Sequence, residues 1–210
     1  MTVLDRTAVA VVTDPLLPPR ATSDGTLRRI HEAALRCFGQ TGYHGVSVRD
    51  LAEASGIRSS SLYAHVRSKE QLLFDLVLLA HEEHRDTVRE AVLAAGSDPV
   101  EQLRAYVRAH VTMHATYPLL ARVANRELAA LAPANERTVR AVRDDAVLLM
   151  ETVLERGQEA GVFHAAEPFL TAAAIGAMGI RVAEWWDPTS GYAAAQVAEY
   201  FADLAVKMAT

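Results

Sequence analysis

The sequence predicts an all-α protein of about nine helices, and three observations support this fold class. Apolar residues recur at helical spacing along most of the chain, and no stretch of useful length alternates as a strand would. Proline and glycine stand at the joints between these stretches. Half of the 210 residues are apolar and 22% are charged, so a largely disordered or collagen-like chain is excluded.

The cysteine content and the charge limit the cellular compartment and the binding partners that the sequence allows. The single cysteine, Cys37, excludes an intramolecular disulfide and a Cys-based zinc site, and it fits a reducing, cytoplasmic compartment. We find no apolar run typical of a signal peptide or a membrane span. The net charge of −5 excludes a uniformly basic surface, but residues 1–70 hold nine Lys and Arg against seven Asp and Glu. Only this front part suits a polyanion.

Residues 1–23 have no hydrophobic period and contain several prolines, which predicts a flexible tail. Whether Arg6 and Arg20 of this tail contact a DNA minor groove stays open. A first helix is expected from residue 24 to about residue 40, capped by Ser23 or Asp24. Its apolar face consists of Ile30, Ala33, Ala34, Cys37 and Phe38.

Two short helices joined by a glycine turn are expected next. Ser47 caps the first, with Asp50 as the capping-box acid, and Gly56 ends it. The second covers residues 58–66, and Ser68 caps the long helix that follows. This composition is typical of a helix-turn-helix.

The second short helix has the character of a recognition helix, which packs on one side and offers small or polar groups to the DNA major groove on the other. Leu62 and Val66 form the packing side. The candidate DNA contacts are Ser47, Arg49, Arg58, Ser59, Ser60, Ser61, Tyr63, His65 and Lys69. A catalytic serine is the alternative interpretation of the serine run, but no Gly-x-Ser-x-Gly sequence surrounds it.

The stretch from Ser47 to Leu72 resembles the DNA-binding segment of the tetracycline-repressor (TetR) family, and the resemblance extends over residues 26–76. It is carried jointly by Ala34, Phe38, Gly42, Tyr43, Leu51-Ala52, Gly56, Leu62-Tyr63, His65 and Ser68-Lys69. Two departures are Val66, where the family often has Phe, and Ser59, where it often has Lys or Arg.

The resemblance implies a homodimer with a three-helix DNA-binding head at residues 24–70. It implies a ligand-binding and dimerisation domain at residues 71–210, with the dimer face made by the last two helices. It also implies that residues 59, 60, 61 and 63 face the major groove of a double-stranded operator, whereas Ser47, His65 and Lys69 meet phosphates.

The remaining helices are expected at about 98–115, 118–131, 135–160, 167–186 and 190–209, where prolines and glycines mark the joints. In the last two, stripes of small and apolar residues predict a four-helix bundle with the symmetry mates. The alternative is that they close the core of one chain. The stripes are Ala172, Ala173, Ile175, Gly176, Met178, Gly179 and Val182, and Ala194, Val197, Phe201, Leu204 and Met208.

A ligand pocket is expected among these helices. Its candidate residues are His110, Met113, His114, Arg122, Arg126, Met178, Arg181 and Trp185. The arginines could instead form structural ion pairs, and the tryptophan could fill a dimer core. A weaker resemblance links Tyr117 to Leu128 and Ala183 to Pro188 with regulators of fatty-acid and steroid breakdown, which respond to acyl-CoA thioesters.

The sequence therefore predicts a ligand-responsive transcriptional regulator that has no enzymatic activity, cofactor or membrane partner. A repressor released by a small apolar effector fits best, with an acyl-CoA thioester as one candidate. A constitutive binder or an activator stays open. The alternative class is a metal-binding helical protein or enzyme that uses the pairs His81/His84 or His110/His114, which lie three and four residues apart.

Overall fold

A computed structural model describes residues 15–164 and 167–210 of the chain, and in these ranges the fold is all-α, as predicted. Nine α-helices and one short 3-10 helix, Leu128–Ala130, make up the described secondary structure. The α-helices are α1 Gly25–Thr41, α2 Val48–Ala54, α3 Ser59–Leu62, α4 Lys69–Ala94, α5 Pro99–Thr116, α6 Pro118–Arg126, α7 Pro133–Glu159, α8 Pro168–Trp185 and α9 Ala194–Ala209.

Side-chain caps fix the starts of the N-terminal helices. Asp24 Oδ1 accepts from the backbone N–H groups of Thr26 and Leu27 at the start of α1. Ser47 and Asp50 form the predicted capping box of α2. Gly56 supplies the positive φ, +68°, that the turn after α2 requires.

The helix expected at 58–66 is shorter in the structure. Only Ser59–Leu62 is α-helical, and the chain then tightens into i→i−3 hydrogen bonds, such as His65 N–H to the Leu62 carbonyl at 3.0 Å. Val66 is nevertheless buried. The packing side of the segment therefore forms as predicted, although its helix is only about one turn long.

One buried apolar cluster joins α1–α3 to the helices behind them. Phe38, Leu51 and Leu62 share this cluster with Leu72 of α4 and Leu120 of α6. The expected domain boundary at residue 70 falls inside the continuous helix α4. The three N-terminal helices are called the head below, and α1 packs directly on α4 and α6.

The contact between α1 and α6 depends on a glycine. A Cβ at Gly39 would overlap the side chain of Leu119. The missing side chain therefore permits the close approach of the two helices.

Residues 15–23 differ from the expected flexible tail. Leu17 is buried in the first cluster, and Arg28 donates to the carbonyls of Leu17 and Pro18 at 3.0 and 3.4 Å. Arg20 pairs with Asp86 of α4 at 2.7 Å. An apolar anchor and two arginines hold this part of the segment. Residues 1–14, including Arg6, lie outside the described ranges.

A second buried cluster fills the C-terminal part. Helix α4 reaches it with Val88 and Val92, and α5 packs along α9. Arg104 pairs with Asp203, and Arg108 donates twice to Glu199 at 2.6 and 2.7 Å. Helix α4 contributes to both clusters and is therefore a continuous element between the head and the C-terminal helices.

The small-residue stripes of the last two helices lie partly in this chain's own core. Ala172, Ile175, Gly179 and Val182 are buried within the chain, as is Val197. One large stripe residue, Met208, is exposed, and the other large apolar side chains that α8, α9 and their connection leave exposed lie outside the stripes: Phe169, Leu170, Trp185, Tyr192 and Tyr200. Helical spacing does not distinguish a core face from an interface face.

None of the helices in the described ranges is long and apolar enough to cross a membrane.

Candidate functional site

The head presents the predicted DNA-contact residues on its outer side. Arg49, Arg58, the serines 59–61 and His65 are exposed, and Tyr63 keeps 58% of its surface exposed. Leu51 and Leu62 are buried behind them. Polar and basic side chains are thus exposed along α2, α3 and the turn that follows. Arg67, which the sequence argument did not single out, is also exposed beside it.

Two of the predicted contacts already have partners within the chain. The Ser47 hydroxyl accepts from the Asp50 N–H at 3.2 Å as part of its cap. Lys69 Nζ donates to the carbonyls of Tyr43 and Val46 at 3.0 and 2.8 Å and lies 4.1 Å from the centre of the Tyr43 ring. Lys69 therefore fastens the start of α4 to the loop that precedes α2.

A second candidate site is a cavity of about 250 Å³ enclosed by α4, α5, α6, α7 and α8. Its wall is mainly apolar, with a group of histidines, one asparagine and one arginine. The lining residues are Ala80, His81, His84, Tyr106, His110, Met113, His114, Ala121, Ala124, Asn125, Arg143, Ala146, Val147, Met150, Phe169, Ala172, Ala173, Gly176, Ala177 and Ile180. Such a wall suits a small, largely apolar ligand.

The histidines form a hydrogen-bonded chain across the helices. His110 Nε2 lies 3.0 Å from the Gly176 carbonyl, and His114 Nδ1 lies 2.8 Å from the His110 carbonyl. Because a carbonyl only accepts, both of these ring nitrogens carry hydrogen. His110 Nδ1 is then a bare acceptor, and His84 Nε2 donates to it at 2.7 Å.

Burial keeps these rings neutral near neutral pH. Loss of solvent lowers the pKa of His110 to about 3 and the pKa values of His81 and His114 to about 4. Loss of solvent, followed by the neighbouring His110, also lowers the pKa of His84 well below its ordinary range. The cavity is therefore lined by uncharged imidazole rings, each with one donor and one acceptor nitrogen.

This geometry does not favour the alternative of a metal site. Both ring nitrogens of His110 are engaged, one by His84 and one by the Gly176 carbonyl. Within residues 15–164 and 167–210, no group of three or more His, Cys, Asp or Glu side chains is placed to hold a metal ion.

Three of the eight predicted pocket residues line the cavity: His110, Met113 and His114. The other five lie outside it, for reasons that their contacts show. Arg122 donates to the Ala183 carbonyl at 2.7 Å, and Arg126 pairs with Glu184 at 2.6 Å. Met178 packs against the second apolar cluster, and Arg181 and Trp185 are exposed.

Arg143 is the one residue of the described cavity wall that is charged at neutral pH, and it is absent from the residues predicted from the sequence. The position of Arg143 in the sequence is the signal that could have identified it. Arg143 precedes Ala146 and Met150 by three and seven residues and therefore shares their face of α7. Both residues line the cavity, so the face that carries Arg143 is the one turned towards the ligand space.

A helix-turn-helix head packed on a helical domain that encloses a cavity defines a class, the bacterial regulators that combine a DNA-binding head with a ligand pocket. The chain belongs to the TetR family of this class. Residues 96–209 match the family model for the tetracyclin repressor-like C-terminal domain, and residues 30–76 match the model for bacterial regulatory proteins of the tetR family. The resemblance read from the sequence is confirmed.

Individual relatives agree with this family. The repressor KstR2 of Rhodococcus jostii is 30% identical over 96 residues, covering 46% of this chain and 47% of its own length. The match therefore spans about half of this curated relative. KstR2 is described as a transcriptional repressor, and the family consists of regulators, so the expectation that the chain is not an enzyme is confirmed.

Solved structures match over most of the chain. The regulator PfmR of Thermus thermophilus is 31% identical with a TM-score of 0.78, covering 85% of this chain and 97% of PfmR. AibR, solved in complex with isovaleryl coenzyme A and operator DNA, is 25% identical with a TM-score of 0.76, covering 88% of this chain and 97% of AibR.

Proposed function

We propose that this chain is a cytoplasmic, ligand-responsive transcriptional repressor, which binds double-stranded operator DNA as a homodimer and leaves it when a small molecule fills the cavity. The observation that carries the proposal is the course of α4. Its first residue, Lys69, fastens the loop before α2, and His81 and His84 of the same helix line the cavity.

The exposed side of α2 and α3 supplies the DNA contacts in this proposal. Ser59, Ser60 and Ser61 are small enough for close approach to base edges, and Arg49, Arg58 and Arg67 provide positive charge for bases or phosphates. Tyr63 and His65 donate to phosphate oxygens. Lys69 acts indirectly, because its ammonium group is already held by two carbonyls.

Release follows from a shift between two arrangements of the head. Helix α6 lines the cavity with Ala121, Ala124 and Asn125, and its Leu119 packs at Gly39 of α1. A ligand that repositions α4 and α6 would thus move the head with them. The ligand favours the arrangement with the lower DNA affinity, and the operator is released.

A dimer is required because one small head makes few contacts, whereas two heads about one helical turn of DNA apart, ~34–36 Å, bind successive major grooves. The last two helices are the proposed interface. Leu170 and Trp185 of α8 and Tyr200 of α9 expose 61%, 48% and 62% of their surfaces in the single chain. Side chains of this size are suited to packing against a symmetry mate.

This interface has a direct test by sedimentation. The substitution Tyr200→Glu should shift the protein from dimer towards monomer, because it places a charge in the proposed contact. Leu93→Glu is the matched control, since Leu93 of α4 is 71% exposed but lies outside this face. A Tyr200→Glu protein that stays as dimeric as the control would contradict the interface.

The effector in this proposal is a small molecule with an apolar body, and an acyl-CoA thioester is one candidate. The cavity volume of about 250 Å³ lies below that of common drug-sized pockets, so only an acyl group and not a whole coenzyme would be enclosed. The likeness to AibR, solved with isovaleryl coenzyme A, supports this candidate.

The DNA-binding part is tested by titrating the protein onto labelled DNA from upstream of its own gene, with random DNA as competitor at near-physiological salt. The proposal predicts selective binding and a protected pair of half-sites. Binding that the competitor removes completely, here and in a selection from fragmented genomic DNA, would contradict the function.

A further inference from the structure

We propose that this cavity binds a small carboxylic acid, whose carboxylate pairs with Arg143 and whose apolar body lies along α7. The inference rests on the proposed function in one respect, because it takes the cavity as the effector site.

Arg143 is the first observation. It lines the cavity and is only half-buried, yet no hydrogen bond or ion pair joins it to any residue in the described ranges. Nearby arginines do have partners: Arg140 donates to Glu136 at 2.6 Å, and Arg85 pairs with Asp86 at 2.8 Å. A guanidinium beside an apolar wall matches the planar geometry of a carboxylate.

The second observation is an unpartnered atom beside it. His81 Nε2 is buried without a hydrogen-bond partner. Burial and then the positive charge of Arg143 lower the pKa of this ring, so the two groups act on each other. A neutral imidazole carries one hydrogen, and with this hydrogen on Nε2 the unpartnered atom is a donor. A buried polar atom without a partner is costly, and a carboxylate oxygen that accepts from it would satisfy it. A carboxylate that accepts from His81 with one oxygen while its second oxygen meets Arg143 uses both groups.

The apolar wall sets the rest of the ligand. From Arg143, the face of α7 continues through Ala146 and Val147 to Met150, and all three line the cavity. Seven residues of helix correspond to about 10 Å. With a cavity volume of about 250 Å³, this distance fits an acid with a medium-length aliphatic or cyclic body.

The test is isothermal titration of the full-length protein, without DNA, with the straight-chain acids from butanoate to decanoate and the matching primary alcohols. We compare the wild type, Arg143→Gln, Arg143→Lys and the control Arg137→Gln. Arg137 is exposed on α7 and does not line the cavity. Melting curves establish that each variant is folded.

The best acid should lose at least about tenfold in affinity in Arg143→Gln, because a charge-assisted hydrogen bond is removed. Arg143→Lys should retain part of the preference for acids over alcohols, and the control Arg137→Gln should retain all of it. The alcohols should bind all four proteins with the same affinity. The inference is overturned if no acid in the series binds the wild type more tightly than Arg143→Gln, or if acids and alcohols lose affinity equally.

Two further arms of the experiment are needed. One distinguishes a free carboxylate from coenzyme phosphates as the anion at Arg143, and the other distinguishes this inference from the proposed function. Octanoyl-CoA replaces the free acid in one arm. If Arg143→Gln binds octanoyl-CoA more weakly than the wild type but binds the free acids equally well, Arg143 contacts the coenzyme phosphates, and the proposed carboxylate contact is overturned. Operator binding is measured separately. Acids that bind through Arg143 but never release the operator would leave this inference standing and contradict the ligand response of the proposed function.

Discussion

His84 Nε2 on α4 lies 2.7 Å from His110 Nδ1 on α5, so a hydrogen bond connects the helix that begins at the head to the wall of the cavity. His110 continues the chain to the Gly176 carbonyl of α8. Three helices around the cavity are thus joined by one ring. A ligand that displaces either histidine acts on α4 directly, and α4 starts at the residue that fastens the head.

The first prediction concerns this bond. His84→Leu should keep operator affinity close to that of the wild type, because His84 is remote from the DNA-contact surface along α4. The effector should release this variant from the operator less than it releases the wild type. The coupling free energy between two sites is typically about 1–3 kcal/mol, and here the His84–His110 hydrogen bond contributes to it. Operator titrations with and without effector measure the difference. Arg89→Gln, exposed on the same helix, is the control, and full release from His84→Leu would refute the role of the bond.

The second prediction follows from the neutral histidines. The pKa of His81 is about 4 in the folded chain against an ordinary value of 6.5, because burial penalises the charged ring. Between these two pKa values the unfolded chain binds more protons than the folded chain. The contribution of the neutral His81 ring to the free energy of unfolding is therefore fully present above about pH 7, and it is lost as the pH decreases from about 6.5 towards 4.

His81 alone accounts for about 2 kcal/mol of this loss at pH 5. His81→Gln should therefore lose about that much less stability between pH 7.5 and pH 5 than the wild type, as measured by urea unfolding. His164→Gln, at an exposed ring, should follow the wild type. Equal pH dependence in all three proteins would show that His81 titrates normally in the folded chain.

The third prediction compares two glycines of α8. A Cβ at Gly179 would overlap the His110 ring, whereas the nearest atom to a Cβ at Gly176 is Met150 Cε at 4.0 Å. Gly179→Ala should lower the free energy of unfolding by about 1–3 kcal/mol through overpacking. Gly176→Ala should raise it by up to about 1 kcal/mol, because alanine favours the helix. Calorimetry measures the melting temperatures of both variants. Similar melting temperatures for Gly179→Ala and Gly176→Ala would contradict the packing of His110 on α8.

Local chemistry explains which parts of the fold could be predicted. The helix expected at 98–115 occurs as Pro99–Thr116, because Asp98 caps it and proline occupies its first turn. The capping box of Ser47 and Asp50 formed as expected for the same reason. Leu17 could not be foreseen, since a single apolar residue among prolines has no period, and only the groove between other helices gives it a place.

The cavity wall depended on tertiary packing. Arg181 and Arg143 both lie on amphipathic helices, but the assembly of five helices turns Arg143 towards the cavity and leaves Arg181 exposed. His110 and His114 were predicted because their spacing of four residues places both rings on one face of a helix. The difference between Trp185, exposed, and Trp186, whose ring N–H donates to the Tyr192 carbonyl at 2.9 Å, arises only in the folded chain.

The fourth prediction separates contact from support in the head. Tyr63→Ala should weaken operator binding about tenfold and leave the melting temperature unchanged, because Tyr63 is 58% exposed. Lys69→Ala should weaken binding and also lower the free energy of unfolding by about 1–3 kcal/mol, since two carbonyls lose their donor. Thermal melts beside anisotropy titrations distinguish the two. An unchanged melting temperature in Lys69→Ala would rule out the fastening role.

The central claim is that filling the cavity releases the operator. It is tested most directly by following operator-bound protein by fluorescence anisotropy while acyl-CoA thioesters and free acids are added, with occupancy of the cavity measured in parallel by calorimetry. The account predicts that at least one compound binds once per chain and lowers operator affinity by about fivefold or more. Operator affinity that stays constant while the cavity is occupied would contradict it.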